Sequence, residues 1–269
     1  MTDRKAIFIS GGASGIGRAV ALHFGQRGWF VGLGDINEAG MAETLALLPG
    51  GEGFATRLDV RERSQWDAAL AGFAAAAGGR INVLHNNAGV AFGGSLEELS
   101  EAEVDALIAI NFRGVVNGAR AALPWLKQAA PDACLLNTAS ASALYGTAGL
   151  AIYSATKFAV RGLTEALDTE WQGHGIKVRS LMPSFIDTPL LAGPANAATN
   201  RGKRESVVRA GLEFTPVEQV AQAAWNAVHG TRIHHLVGKT ARQMRLAAIF
   251  APGFLRKRGR GLMQARRSD

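Results

Sequence analysis

Ala6-Ile7-Phe8-Ile9-Ser10-Gly11-Gly12-Ala13-Ser14-Gly15-Ile16-Gly17 decides the fold, and a helical apolar pattern follows it from residue 16 to residue 26. An apolar run bounded by glycine reads as a short buried strand. Gly11 lets the strand turn sharply, Gly15 lets backbone approach a pyrophosphate, and Gly17 allows close helix packing. The free N–H groups and the positive end of the new helix, beginning near Ser14 and Ile16, favour phosphate. The spacing is GxxxGxG rather than GxGxxG. Glycines also occur in strand-to-helix turns that hold no ligand, so the place directly after the first strand carries the weight.

Outward from that turn, strand-like and helix-like stretches alternate with no linker, low-complexity block or repeat. Strands are expected at residues 30–34, 54–58, 82–86, 133–138, 177–182 and 233–237. Helices are expected at 38–48, 63–77, 101–128 with a break near Asn111, and 152–172. A further helix at 215–228 is capped by Thr215, with Pro216 in its first position. This alternation predicts an α/β protein: a Rossmann-type doubly wound parallel sheet of about seven strands, helices on both faces, ligands at the strand carboxyl ends.

Asp35 ends the second strand, 18 residues after Gly17. A carboxylate there can accept from both ribose hydroxyls of an adenosine and would repel a 2′-phosphate. Neither Ser14 nor Ile36, the neighbouring places for an offsetting cation, is basic. The expected cofactor is therefore NAD. A solvated loop aspartate is the competing reading, and the spacing disfavours it.

With 269 residues and 48% apolar side chains the chain can bury one large core. A single cysteine, Cys134, excludes an internal disulfide and an all-cysteine metal site. The six histidines show no zinc or triad spacing, so no metal is expected. Residues 1–5 lead straight into the first strand and no run is long and apolar enough to span a bilayer, so a soluble, cytoplasmic protein is expected. Net charge is +7, but ten Lys/Arg and one acid from residue 231 onward give +9, leaving −2 for the residues before. The charge thus belongs to the tail and says nothing about a site in the main domain.

Asn137 to Lys157, NTASASALYGTAGLAIYSATK, carries the chemistry. Tyr153 and Lys157 stand four apart and share a helix face. A free phenol titrates near 10, about three units too high for a neutral-pH base, and a fixed ammonium can supply much of the roughly 4 kcal/mol involved. Ser140, thirteen residues before Tyr153, can be brought beside the phenol from a strand end. Ser142 is a weaker candidate for that hydroxyl. Alone, YxxxK more often marks a helix surface.

Taken in order, the glycine turn, Asp35, Asn86-Asn87-Ala88-Gly89, Ser140, Tyr153 and Lys157 make the chain resemble the short-chain dehydrogenase/reductase family over residues 5–230. The resemblance implies a catalytic set of Asn111, Ser140, Tyr153 and Lys157. It places Asp59 and Val60 at the adenine and Asn87, Ala88 and Gly89 beside the adenosine. It gives Asn111 a helix bend and a water-linked proton relay through Lys157. In Met182-Pro183-Ser184-Phe185-Ile186-Asp187-Thr188, it implies that Pro183, Ile186 and Thr188 line the nicotinamide. The family usually has glycine where Ser184 stands.

The resemblance implies NAD(H)-dependent interconversion of a secondary alcohol and a ketone. The alternatives are an NADPH-dependent carbonyl reductase and a non-catalytic dinucleotide sensor or scaffold; intact Tyr153, Ser140 and Lys157 argue against the last. The expected partners are a small alcohol or ketone and further copies of the chain, as a dimer or tetramer. Residues 1–240 read as one catalytic domain with a substrate lid at about 187–212, where Arg201, Lys203 and Arg204 fall. Leu144, Phe92, Phe185, Leu190 and Leu191 are the expected apolar wall. Residues 241–269 form a basic extension. The preferred reading is an end helix covering a pocket followed by a disordered basic tail; weak contact with an anionic membrane surface is the other. Nucleic acid is not expected, because the tail has no recognised module and few aromatics.

Overall fold

The computed structural model describes residues 4–199, 202–209 and 211–267. Seven parallel strands form one sheet in the order β3-β2-β1-β4-β5-β6-β7. They are β1 (Ala6–Ser10), β2 (Phe30–Asp35), β3 (Phe54–Arg57), β4 (Val83–Asn86), β5 (Ala133–Thr138), β6 (Ile176–Pro183) and β7 (His234–Val237). The order reverses between β1 and β4, and the carboxyl ends there open the crevice in which such sheets bind ligands.

Side-chain alternation along β1 shows why both faces are covered. Ile7 and Ile9 point to one face and pack with α1 (Gly15–Gly25) and α8 (Val217–His229) through Val20, Phe24, Ala224 and Val228. Ala6 and Phe8 point to the other, against α3 (Arg63–Ala76) and α5 (Gly114–Ala129) through Trp66, Phe73, Ala122 and Leu126. Cys134 is wholly buried in the first of these layers, and burial pushes its thiol up to about 12, so it acts as a packing residue.

The remaining helices are α2 (Glu38–Ala46), α4 (Glu101–Ile108), α6 (Ala151–Glu170), α7 (Lys203–Arg209), α9 (Lys239–Phe250) and α10 (Pro252–Arg267). Between α4 and α5 the expected break at Asn111 is a single wide π-turn, Ala109–Arg113, rather than an end of helix. Asn111 is fully buried there. Its side chain accepts from the Val90 N–H and donates to the Val90 carbonyl, each at 2.9 Å. The bulge therefore turns an otherwise unfavourable mid-helix asparagine into a clamp on the loop after β4.

Two expectations are corrected. Pro216, not Thr215, precedes the first residue of α8, and Thr215 instead donates its N–H to the Phe185 carbonyl at 2.8 Å. The extension is helical through Arg267 rather than a disordered tail. Arg201 lies outside the described residues.

Candidate active site

A cavity of about 1550 Å³ opens at the carboxyl ends of β1, β2, β4, β5 and β6. At one end is the glycine turn, contributing Gly11, Ser14, Gly15 and Ile16. Gly11 has φ +71, and a Cβ on it would lie 2.8 Å from the Ala88 Cα; one on Gly17 would collide with the Gly11 carbonyl. Gly17 itself is buried behind the cavity wall and lets α1 start close beneath the turn. The turn is further held by Arg18, which donates to the Ala13 carbonyl at 2.7 Å and to Thr44 Oγ1 at 3.0 Å on α2. Arg18 thus shapes the turn from outside.

Asp35, at the end of β2, accepts from the Ala13 N–H at 3.1 Å and the Asn37 N–H at 3.0 Å. Ile36 beside it is exposed, and both line the cavity. Asp59 and Val60 line the same end. Arg61 forks onto the Asp59 carboxylate, its Nε at 2.9 Å, and this pairing holds the carboxyl below the usual range. Arg61 also faces the cavity, which the spacing of charges in the sequence does not reveal.

On the middle wall, Asn87, Ala88 and Gly89 follow β4. Asn87 donates to the Ser10 carbonyl at 3.1 Å and the Gly11 carbonyl at 3.2 Å, so it braces the turn. Beyond it Ser140, Tyr153 and Lys157 face the cavity from the end of β5 and the first turns of α6, while Pro183, Ile186 and Thr188 come from the end of β6 and the segment after it. Asn111 does not line the cavity; it reaches it through Val90, which does. Ser142 lies on the wall too, but it is the Ser140 hydroxyl that hydrogen-bonds Tyr153.

Lys157 is only 4% exposed, and its Nζ donates to the Thr138 carbonyl at 2.9 Å. Burial brings this ammonium down to about 8. The same burial raises the Tyr153 phenol above its ordinary value, and a hydrogen bond with the Ser140 hydroxyl opposes the rise. Lys157 Nζ sits 5.7 Å from the centre of the Tyr153 ring. Burial thus sets the direction of the phenol's shift. Three features fit a dinucleotide: the cradle that Cβ atoms would fill, the carboxylate at the end of β2, and the buried cation deep in the crevice.

The apolar wall is partly as expected. Phe185, Leu190 and Leu191 line the cavity, whereas Leu144 packs against Val160 and Met182 beneath it, and Phe92 is not on the wall. The sequence reading missed Leu150 and Leu212, and above all Met244, Leu255 and Met263 from α9 and α10. Nothing in the spacing of Leu255 and Met263 marks them, because they reach the cavity only through the turn of the chain at Ala251 and Pro252. Asn196 and Ala197, in the expected lid, are pinned down: the Asn196 side chain donates to the Gly93 carbonyl at 2.7 Å, and Ala197 N–H donates to Glu103 Oε1 at 2.7 Å. Among the described residues no cluster of histidine, cysteine and carboxylates could hold a metal, and no helix is long and apolar enough to cross a membrane.

Fold and site together define a nucleotide-binding oxidoreductase, and residues 5–198 match the family model described as short chain dehydrogenase. The chain belongs to that family. It is 35% identical over 190 residues to a 2,5-dichloro-2,5-cyclohexadiene-1,4-diol dehydrogenase of Sphingobium indicum, covering 70% of this chain and 75% of that protein. It is 36% identical over 187 residues to a 3-alpha-(or 20-beta)-hydroxysteroid dehydrogenase of Mycobacterium tuberculosis, covering 69% and 70%. A short-chain dehydrogenase/reductase from Burkholderia phymatum, crystallised with NAD, superposes with a TM-score of 0.80 at 28% identity, covering 91% of this chain and 92% of that one.

Proposed function

We propose that the protein interconverts a secondary alcohol and a ketone, with NAD as its preferred cofactor. The observation that carries this reading is the placing of Ser140, Tyr153 and Lys157 on the wall of the cavity that also holds the glycine turn and Asp35. The turn would hold the pyrophosphate at Ser14, Gly15 and Ile16, Asp35 the adenosine ribose, and Lys157 the nicotinamide ribose. NAD, when bound, supplies the hydride acceptor for oxidation and, reduced, the donor for reduction. Ser140 hydrogen-bonds the substrate oxygen and fixes it beside the phenol. Tyr153 takes the alcohol proton in oxidation and returns it in reduction. Lys157 places a positive charge where the phenolate develops, and its Thr138 bond keeps it there. Asn111, held by Val90, sets the helix bulge next to that lysine.

Tyr153→Phe tests the assignment: turnover should be lost by a factor of about a thousand or more, the scale of a general acid–base group, while NADH fluorescence titration stays near wild type. Retained turnover would overturn it. Arg61 supports a second reading, an NADPH-dependent carbonyl reductase, because its side chain is half exposed at the adenosine end. Its engagement by Asp59 makes NAD the better reading.

The same proposal covers the setting. The family resemblance supports a homo-oligomer, dimer or tetramer, which light scattering would count. α9 and α10 leave Leu246, Ile249, Phe250 and Phe254 exposed, Phe250 at 80%, among Arg242, Arg245 and Lys257. Such a surface suits weak peripheral contact of a cytoplasmic protein with an anionic bilayer. Flotation with phosphatidylserine vesicles, with and without residues 241–269, tests it: equal recovery of both chains would remove this contact from the reading.

A further inference from the structure

Resting on that reading and narrowing its substrate, we propose that the alcohol or ketone is an anionic amphiphile: an apolar body ending in a carboxylate or phosphate, met by Arg256 and Arg260 on α10. The charges lining the cavity are sorted along its length. Its two carboxylates, Asp35 and Asp59, both stand at the proposed adenosine end, where Arg61 pairs with Asp59. On the far side of Tyr153 the charged lining side chains are all cationic, from Lys203 and Arg209 on or near α7 to Arg256, Arg258 and Arg260 on α10. The same segments add Phe185, Leu191, Leu212, Met244 and Met263 to the wall, interspersed with the neutral polar Ser206, Thr240 and Gln243.

α10 is held over this end of the cavity. A Cβ built on Gly259 would lie 3.6 Å from the Ala148 Cβ, in the loop that leads to Tyr153. Residues three and four apart share a helix face, so Arg256, Gly259, Arg260 and Met263 all turn toward that loop. The face alternates cation with apolar side chain, as an amphiphile requires. Arg204 and Arg209 are neutralised by Asp187 and Glu205. Arg256 and Arg260 have no carboxylate partner among the described residues, and no acid occurs between residues 231 and 268 to supply one. Lys203 is half-buried, and among the described residues its ammonium meets only the Ala91 carbonyl, at 3.4 Å. Positive potential is thus focused at the mouth of an apolar funnel, which draws and orients an anion whose other end enters first.

Exposed single ion pairs are weak and screened by salt, so the selectivity expected is moderate: about tenfold at low ionic strength and smaller at about 0.5 M salt. The probes are a medium-chain ω-1 hydroxy fatty acid, its methyl ester, and the hydroxyalkyl phosphate of equal length, all below their micelle-forming concentrations. Binding of each to the enzyme–NADH complex is read by nicotinamide fluorescence, and kcat/KM with NAD⁺ by absorbance. The acid or the phosphate, whichever is the true headgroup, should bind about tenfold tighter than the ester. That ratio should fall toward one in Arg256→Gln/Arg260→Gln.

Equal binding of all three probes by the wild type would overturn the proposal, as would a ratio that survives the double substitution. A rise in the NADH dissociation constant of the variant with an unchanged probe ratio would assign the arginines to the cofactor and also overturn it. Binding preference without turnover would fault the proposed reaction and leave this inference standing; turnover without preference would do the reverse.

Discussion

The Lys157 ammonium and the Thr138 carbonyl are joined at 2.9 Å, and Thr138 is also tied through its hydroxyl to the far side of the site. That hydroxyl donates to Asn87 Oδ1 at 3.3 Å and lies 2.9 Å from His85 Nε2. With its proton committed to Asn87, the hydroxyl must accept from His85, so the ring carries its proton on Nε2. His85 Nδ1 is then a bare buried acceptor, and burial brings the ring down to about 3. Since Asn87 holds the Ser10 and Gly11 carbonyls, one residue links the glycine turn to the lysine.

Thr138→Val should therefore destabilise the protein by about 2 kcal/mol, the cost of leaving the His85 N–H and the Asn87 carbonyl oxygen short of a partner in a buried place. The bond from Lys157 goes to backbone and survives. Urea denaturation should show the loss, while NADH affinity should change less than tenfold. A larger fall in affinity than in stability would mean that the hydroxyl touches the nucleotide.

The pH dependence follows from Tyr153. Burial raises the phenol, so the protonated form dominates at neutral pH and is the form that reduction would need in the proposed reaction. Oxidation needs the phenolate, whose fraction grows up to tenfold per pH unit below the phenol pKa. Log kcat/KM for alcohol oxidation should climb between about pH 6 and pH 9 while ketone reduction stays level, then falls at higher pH. Lys157, which burial brings down to about 8, should be retained as a cation by the phenolate it faces. Lys157→Met should move the oxidation limb to higher pH. Parallel profiles in both directions check the sign; an oxidation rate that falls with rising pH over this range would contradict the assignment.

Asp35 holds two backbone N–H groups as well as facing the proposed adenosine end, so a small substitution there would disturb the turn. Asp35→Asn removes the charge and keeps one acceptor. NADH should bind about tenfold more weakly, as expected for loss of a hydrogen bond to a charged acceptor, and the discrimination against NADPH should shrink by more than that. Fluorescence titration with both nucleotides measures the two effects, and an unchanged NADH/NADPH ratio would remove Asp35 as the selector.

The sheet was legible because its strands are short apolar runs punctuated by glycine, and the expected and observed bounds of β5 coincide at Ala133–Thr138. Gly11, Asp35, Ser140, Tyr153 and Lys157 were legible because each stands at a strand end or on the helix that follows one, where local spacing fixes position. What escaped are residues placed by distant packing. Arg61 faces the cavity through its fork on Asp59, Leu144 turned out to pack beneath the wall, and α10 reaches over the site only because the chain doubles back after α9. No periodicity encodes such returns. Charge counting gave the tail its sign but not the face on which Arg256 and Arg260 lie.

Ser184, where the family usually has glycine, is explained by its neighbours across β6 and β7. Its N–H donates to the Val237 carbonyl at 3.0 Å, and its hydroxyl lies 3.2 Å from Thr215 Oγ1. Both hydroxyls fill the space where Gly238, at φ +93, lacks a side chain; a Cβ there would collide with each. Gly238→Ala should cost about 3 kcal/mol or more, combining left-handed backbone strain with two buried clashes. Ser184→Gly removes one of those obstacles but also a hydroxyl contact, and alone should cost about 1 kcal/mol. Combined, the two changes should cost less than the sum by at least about 0.5 kcal/mol, the scale of coupling between residues that touch. Denaturant midpoints of the four proteins close the cycle. Strict additivity would show that Ser184 and Gly238 do not share that space.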